Sequence, residues 1–243
     1  MNLLDTTGKT IASAIVEYKK PICGFMFTFN GKLTDLTTET VLIKVVRTDT
    51  SKNVSIHKEA VLLADYIYLA TYLGNPIGSD SRDSVQVRVP LTLKGNIVPT
   101  DSDFISFEFK NLKTTKSYVF NSLEASFNAT TAMTYTKLTQ PKDNSSIDFL
   151  VNGYDSAVLT VTSDITAVTT RYLNGYQKIQ TIAEFRAEIE QANGVAYIDY
   201  LGVVYQSLGS KLLIPLYGVS MMTFTKDAPT AVTTMLCRNN LIN

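Results

Sequence analysis

One histidine and two cysteines make up the whole supply of imidazole and thiol in this chain: His57, Cys23 and Cys237. Nucleophilic triads and metal centres need such groups in close company. Cys23 and Cys237 fit no CxxC or Cys/His spacing, so the pattern gives a zinc site no support. They can pair only if the two ends of the chain meet, and two free, buried thiols are expected. His57 closes a strand at the entry to a helix, with no partner marked beside it. A half-exposed packing or capping histidine is its expected role.

The carboxylates Asp80, Asp83, Asp101 and Asp103 lie in predicted loops. Two carboxylates facing one another about 5–10 Å apart hydrolyse glycosides. Gly78-Ser-Asp-Ser-Arg-Asp83 and Asp101-Ser-Asp103 carry oxygen donors of the kind calcium takes, but neither follows EF-hand spacing. Solvated turns are expected at both. No GxGxxG or GxxxxGK[ST] run provides a phosphate loop. Tyrosine is plentiful, with 13 residues and no tryptophan, and could stack on sugars, yet most tyrosines fall inside predicted strands or helices, where packing is expected. No catalytic, cofactor-binding or metal-ligating residue is therefore assigned. Neither a cofactor nor a metal is expected, and the chain reads as a binding or structural protein, not an enzyme.

Charge points the same way. The 22 Lys and Arg balance 22 Asp and Glu, and the most basic clusters, Lys19-Lys20 and Lys113 to Lys116, are short and sit at strand ends. Solvated loops are expected there, and no direct nucleic-acid binding. Met1-Asn-Leu-Leu-Asp5 has neither the positive nor the apolar region of a secretory signal. The glycan acceptor patterns at Asn53, Asn128 and Asn144 are accordingly read as chance. No apolar run reaches the roughly 18 residues of a membrane span.

The elements that must position these residues are mostly strands, rich in Thr, Val, Ile, Tyr and Phe. In the first half they are Phe25–Phe29, Val41–Val46, Val54–His57, Val85–Leu93 and Phe104–Phe109. Val85, Val87, Val89, Leu91 and Leu93 share one face. In the second half they are Ile147–Val151, Ala157–Val161, Ala167–Arg171, Tyr197–Tyr205, Lys211–Leu216, Val219–Thr225 and Thr230–Leu236. Two helices interrupt them. Lys58–Tyr72 carries a stripe of Ala60, Leu63, Ile67 and Ala70, with Asp65 turned away. Thr181–Ala192 carries Ile182, Phe185 and Ile189, opens with the capping box Thr181-Ile-Ala-Glu184 and stops at Asn193-Gly194.

The strand–helix–strand order occurs twice. Setting Ile56 over Ile179 places Leu62 over Phe185 and Tyr66 over Ile189, an offset of 123 in 243 residues. Solenoid repeats recur every ~20–50 residues, so a period of half the chain points to duplication of a whole domain. Short strands about 8–12 residues apart favour a sandwich or barrel in each half. The boundary falls between Leu123 and Thr139, giving domains 1–125 and 126–243. The segment from Phe127 to Thr134 is either a linker or the opening of the second domain's first strand.

Phe27-Thr-Phe-Asn-Gly-Lys-Leu-Thr34, then Val41–Val46, a hairpin, and Val54-Ser-Ile-His-Lys-Glu-Ala-Val-Leu-Leu63 follow an order similar to a known family. The counterpart is Val168–Leu173 followed by Gln177–Phe185. Together they resemble the double jelly-roll major capsid proteins of tailless icosahedral viruses with an internal membrane, especially the corticovirus-type coat and the coats of Flavobacterium-infecting phages. The resemblance implies an all-β fold of two tandem eight-stranded jelly-roll barrels, each with one short amphipathic helix. It also implies homotrimers that act as pseudo-hexamers, barrels standing normal to a shell, and neighbouring capsomers, penton or minor capsid proteins and an internal lipid membrane as partners. The implied location is the virion, after assembly in the host cytoplasm. Met1–Lys9 and Arg238–Asn243 are candidate arms that tie capsomers together. The competing readings are a β-sandwich carbohydrate-binding or adhesion module, a minor capsid or vertex protein and, behind these, a carboxylate-dependent glycosidase.

Overall fold

A computed structural model of the chain describes residues 1–49, 53–72, 77–78, 84–100, 102–129, 131–192, 195–199, 202–206, 211–227 and 231–241. The first set of elements is β1 (Asn2–Asp5), β2 (Ala14–Tyr18), β3 (Gly24–Phe29), β4 (Thr40–Val46), β5 (Val54–Ser55), β6 (Val61–Leu62), α1 (Leu63–Tyr72), β7 (Ile77–Gly78), β8 (Val85–Pro90), β9 (Phe104–Lys110) and β10 (Tyr118–Leu123). The second set is β11 (Thr131–Gln140), β12 (Ser146–Leu150), β13 (Ser156–Thr160), β14 (Ile165–Tyr172), β15 (Gln177–Thr181), α2 (Ile182–Ala192), β16 (Val195–Asp199), β17 (Gly202–Gln206), β18 (Lys211–Pro215), β19 (Val219–Lys226) and β20 (Val232–Leu241).

The pairing repeats. In the first set the strands order as β1-β10-β3-β8 in one sheet and β2-β9-β4-β5 in the other, with β6 also on β4. In the second set they order as β11-β20-β13-β18 and β12-β19-β14-β15. With β5 and β6 taken together as the fifth strand, both sets run 1-8-3-6 and 2-7-4-5, and the helix follows the fifth strand in each. Two eight-stranded barrels, each with one short helix, are thus present as expected. β7, β16 and β17 lie in the connections between helix and sixth strand, and extend the first sheet beyond β8.

By compactness the chain divides into unit 1 (Met1–Tyr135, Ala196–Tyr205 and Asn239–Asn243) and unit 2 (Thr136–Val195 and Gln206–Arg238). The core of unit 1 is aromatic. Alternation on β3 buries Phe25, Phe27 and Phe29, while β9 contributes Phe107 and Phe109 and β10 contributes Tyr118 and Phe120. Phe120 joins the sheets, its ring centroid 4.3 Å from Phe109 on β9 and 4.9 Å from Phe27 on β3. Such tilted pairs add about 0.5–1.5 kcal/mol each beyond the area they bury. Gly24 lets β3 lie this close to β8, since a Cβ there would stand 2.5 Å from the Val89 carbonyl oxygen. The core of unit 2 is mainly aliphatic: Leu159, Val168, Leu212, Ile214 and Leu236 surround Phe149 and Phe224.

Several sequence-based expectations need correction. The first helix starts at Leu63, not Lys58, because Val61 and Leu62 pair with Val41 and Thr40 as a strand. Ala60 is exposed and outside the helix. Aligning helix starts, Leu63 with Ile182, gives an offset of 119; this sets Tyr66 over Phe185 and Ala70 over Ile189, all four of these buried. Asp65 is buried in the first turn of α1, where unpaired helix N–H groups favour a carboxylate. The strand expected to run to Leu93 ends at Pro90, and Leu93 turns outward.

Among the described residues, both terminal segments contain strand. Asn2–Asp5 is the first strand of its barrel, paired with β10 through Leu4 and Phe120, with Leu3 buried. Arg238–Leu241 completes β20, where the Asn240 side-chain amide donates to Thr134 Oγ1 at 2.5 Å. Phe127–Thr134 divides between the two readings: Phe127–Ala129 lies outside the strands, and β11 opens at Thr131. The capping box is formed as expected, with Thr181 N–H donating to Glu184 Oε2 at 2.9 Å and Glu184 N–H to Thr181 Oγ1 at 3.3 Å. The stop at Asn193-Gly194 lies outside the described residues.

Candidate functional site

His57 is fully buried, not half-exposed. β4 and α1 enclose it: Nδ1 stands 3.0 Å from the Val41 carbonyl, and the Tyr66 and Tyr135 rings meet its ring edge-on, each at 5.0 Å. Nδ1 therefore carries the proton, and Nε2 has no hydrogen-bond partner. Burial pushes the imidazole down to about 3, against the smaller opposing pull of the Val41 carbonyl. A neutral ring sealed from solvent by aromatic neighbours can pack, but it has no access to a substrate.

Cys23 and Cys237 are both buried, and neither forms a disulfide. Asp80, Asp83 and Asp101 lie outside the described residues. Asp103 is described, and its carboxylate serves the chain itself. Oδ1 accepts from Thr48 N–H at 2.8 Å and from Thr48 Oγ1 at 3.2 Å, while Oδ2 accepts from Thr100 Oγ1 at 3.4 Å. The Thr48 N–H leads the contacts that hold this carboxyl below the usual range. Asp103 borders a cavity of about 240 Å³ whose wall also includes Arg47, Asn96, Thr100 and Asn128. Among the described residues, no group of three or more His, Cys, Asp or Glu side chains is placed to hold a metal ion. No helix among them is long and apolar enough to cross a membrane.

The basic clusters divide. Lys19 and Lys20 are exposed in the β2–β3 connection. Lys113 and Lys116, expected in a solvated loop, instead hold down the connection before β4. Lys116 Nζ stands 3.1 Å from Asp35 Oδ2, and Lys113 Nζ donates to the Asp35 carbonyl and lies 3.6 Å from Glu39 Oε1. Glu39, 1% exposed, is the hub. Its Oε2 accepts from Thr37 and Thr38 N–H at 2.9 and 3.0 Å, and its Oε1 from the Tyr118 hydroxyl at 2.8 Å. Every arm of this network ends on the chain itself, so its work is structural.

Side chains fill the core of each unit, and several large hydrophobic side chains remain at the surface. Sequence reasoning missed its main feature, the large hydrophobic side chains left in water at turns and strand ends. Tyr217 is 97% exposed and Leu150 74%, with Leu173 at 63% and Tyr176 at 58%. The signal was present in Leu173-Asn-Gly-Tyr176 and Tyr217-Gly218, where apolar residues flank turn-forming Asn-Gly and Gly and serve no strand face.

No protein-family model matches the chain, and no curated protein matches its sequence. Among solved structures, the crystal structure of the major capsid protein P2 from bacteriophage PM2 aligns with a TM-score of 0.57 at 9% identity, covering 94% of this chain and 91% of that one. A chain from the atomic structure of Sulfolobus turreted icosahedral virus aligns with a TM-score of 0.54 at 10% identity, covering 95% of this chain and 86% of that one. The fold is the double jelly roll. Coverage of this extent takes in both jelly rolls. What is shared at 9–10% identity is the path of the chain.

Proposed function

We propose that this double jelly roll is the major coat protein of an icosahedral virus, assembling as homotrimers that act as pseudo-hexamers. The observation that carries the reading is the duplication itself: one chain holds two barrels of identical strand order. Three such chains present six similar wedges around a threefold axis, and a six-sided unit tiles a facet with few kinds of contact. The fold likeness to the PM2 major capsid protein supports it. We assign residues 1–125 to one barrel and 126–243 to the other, on the grounds that β10 ends at Leu123 and β11 begins at Thr131. Zero net charge favours dense packing of many copies without long-range repulsion. The partners are then further copies of the chain, penton or minor capsid proteins and a lipid membrane beneath the shell, and the location is the virion after assembly in the host cytoplasm. The role is structural, without catalysis or direct nucleic-acid binding.

Size-exclusion chromatography with light scattering tests this. A stable species of about 80 kDa, three times the 26.8 kDa chain, is expected, and negative-stain images should show six-sided capsomers. A strict monomer at all concentrations sinks the proposal. The exposed Tyr176 and Tyr217 favour a second reading, a carbohydrate-binding module that stacks sugars on tyrosine. A monomer retained on immobilised glycans would establish that reading in its place.

A further inference from the structure

The two ends of each barrel differ in chemistry. In unit 2 the connections after the second, fourth and sixth strands, 151–155, 173–176 and 216–218, gather at one end. Leu216 N–H donates to the Asp155 carbonyl at 3.0 Å, and Leu173 N–H to the Gly218 carbonyl at 2.8 Å. Of the five large hydrophobic side chains that unit 2 exposes among its described residues, Leu150, Leu173, Tyr176 and Tyr217 stand at this end, and only Ile179 lies mid-strand on β15. The opposite end, with connections 141–145 and 161–164, exposes none among the described residues.

Unit 1 repeats the polarity with other residues. Leu93, Val98, Phe127 and Met1 are exposed where the corresponding connections gather, and Asn96 N–H donates to the Phe127 carbonyl at 2.8 Å there; the other exposed large hydrophobics among the described residues of unit 1 are Ile15, near the start of β2, and Leu241, at the end of β20. At its other end stands the Glu39, Asp35, Lys113 and Lys116 network. Scattered exposed hydrophobics need no explanation, but a cluster at one end does. That both barrels show it at the same topological end, with unrelated side chains, restricts the partner. A protein or sugar that reads shape would demand particular groups at particular places. Leu150 and Leu173 also offer nothing to a sugar hydroxyl. A bilayer interface asks only for apolar and amphipathic side chains that project, and tyrosine and leucine at turn tips meet that demand. Lys19, Lys20 and Lys94 at the unit 1 end and Arg171 at the unit 2 end are exposed and would meet anionic headgroups, while the exposed Glu124 and Asp155 offset them. Apolar insertion, not net charge, therefore carries the contact.

We propose that the apolar end of unit 2 is a surface by which the protein inserts into the interface of a lipid bilayer, with Leu173, Tyr176 and Tyr217 as its chief contacts. The inference deepens the coat function and rests on it, since barrels standing normal to a shell would turn one end of each towards an enclosed membrane.

Flotation of the full chain with vesicles of equal phosphatidylcholine and phosphatidylglycerol tests it. The wild-type protein should float with the vesicles. The double variant Leu173→Ser/Tyr217→Ser should lose at least about tenfold in partitioning, given the apolar surface removed, and Tyr217→Ser alone, at a site packed against almost nothing, should lose part of it. Ile179→Ser, equally exposed but mid-strand, should bind as wild type. Circular dichroism and Tm certify that each variant is folded. Wild-type protein that ignores the vesicles, or a folded double variant that binds undiminished, overturns the inference. Light scattering on the same samples separates the two claims. Trimers that ignore vesicles overturn the lipid contact and leave the coat reading standing, whereas vesicle binding by a strict monomer supports the contact and removes the coat.

Discussion

The hydroxyl of Tyr118 donates to Oε1 of Glu39 at 2.8 Å across 79 residues of sequence, tying the start of β10 to the residue before β4. The two strands belong to opposite sheets of the first jelly roll, so one bond pins both at the same end. Burial pushes the Glu39 carboxyl up, but its own N–H, the Tyr118 hydroxyl, the Thr38 N–H and Lys113 together hold it below the ordinary value of 4.5.

Tyr118→Phe should therefore destabilise the protein by about 1.5–3 kcal/mol, because it removes a hydrogen bond to a charged, buried acceptor. Guanidinium unfolding near pH 7 measures this. The depressed carboxyl contributes stability that is complete above its unfolded value of 4.5 and is lost as pH falls through the folded value. The cost of Tyr118→Phe should shrink over that acid range. An unchanged midpoint at neutral pH would show that the bond is idle.

His57 supplies a second, separable acid response. Its folded value near 3 lies below the ordinary 6.5, so the unfolded chain binds the proton first. Stability is complete above pH 6.5 and declines as pH falls through 3, by up to about 5 kcal/mol at roughly 1.4 kcal/mol per unit. Replacing His57 by Phe should flatten the stability profile between pH 6.5 and 4.5 while leaving the Glu39 response below it. Profiles that stay parallel through this range would mean that the ring is hydrated.

Much of the fold was legible in the sequence, because alternation is a local signal. Val85, Val87 and Val89, and Ile105, Phe107 and Phe109, announce their strands and their buried faces. The capping box at Thr181 and Glu184 announced α2. What was lost depended on distant partners. β1 is four residues long, and only its pairing with β10 makes it a strand. β11 buries Ala132, Met133, Thr134 and Tyr135 in succession, so no period of two marks its opening. Lys113 and Lys116 read as a basic loop because Asp35 and Glu39 lie some eighty residues away. The duplication was visible in the order of elements but not in residue identity, since one core is aromatic and the other mainly aliphatic. The apolar ends escaped notice because exposure is a property of the folded surface and has no period.

Thr181 tests the capping box directly. Its hydroxyl accepts from the Glu184 N–H and its N–H donates to the Glu184 carboxylate, satisfying donors at the start of α2. Thr181→Ala should cost about 1 kcal/mol by thermal or chemical unfolding, and Thr181→Ser should restore most of it. Phe185 and Ile189 hang from this helix into the unit 2 core, so the loss should appear in global unfolding and not as local fraying.

Removing Met1–Lys9 separates an arm from a strand. An arm that only ties capsomers together would leave folded, soluble protein on deletion. Here the deletion strips β1 from its sheet, exposes the edge of β10 and uncovers Phe120, which packs on Phe27 and Phe109. It also removes Thr6, whose Oγ1 accepts from the Tyr118 N–H at 2.9 Å. An exposed edge strand invites pairing with other chains. The truncated protein should aggregate on expression or melt well below the full chain, whereas the milder Leu3→Ala should cost about 2–5 kcal/mol as a core truncation. Recovery of truncated protein with an unchanged Tm would return β1 to the status of a detachable arm.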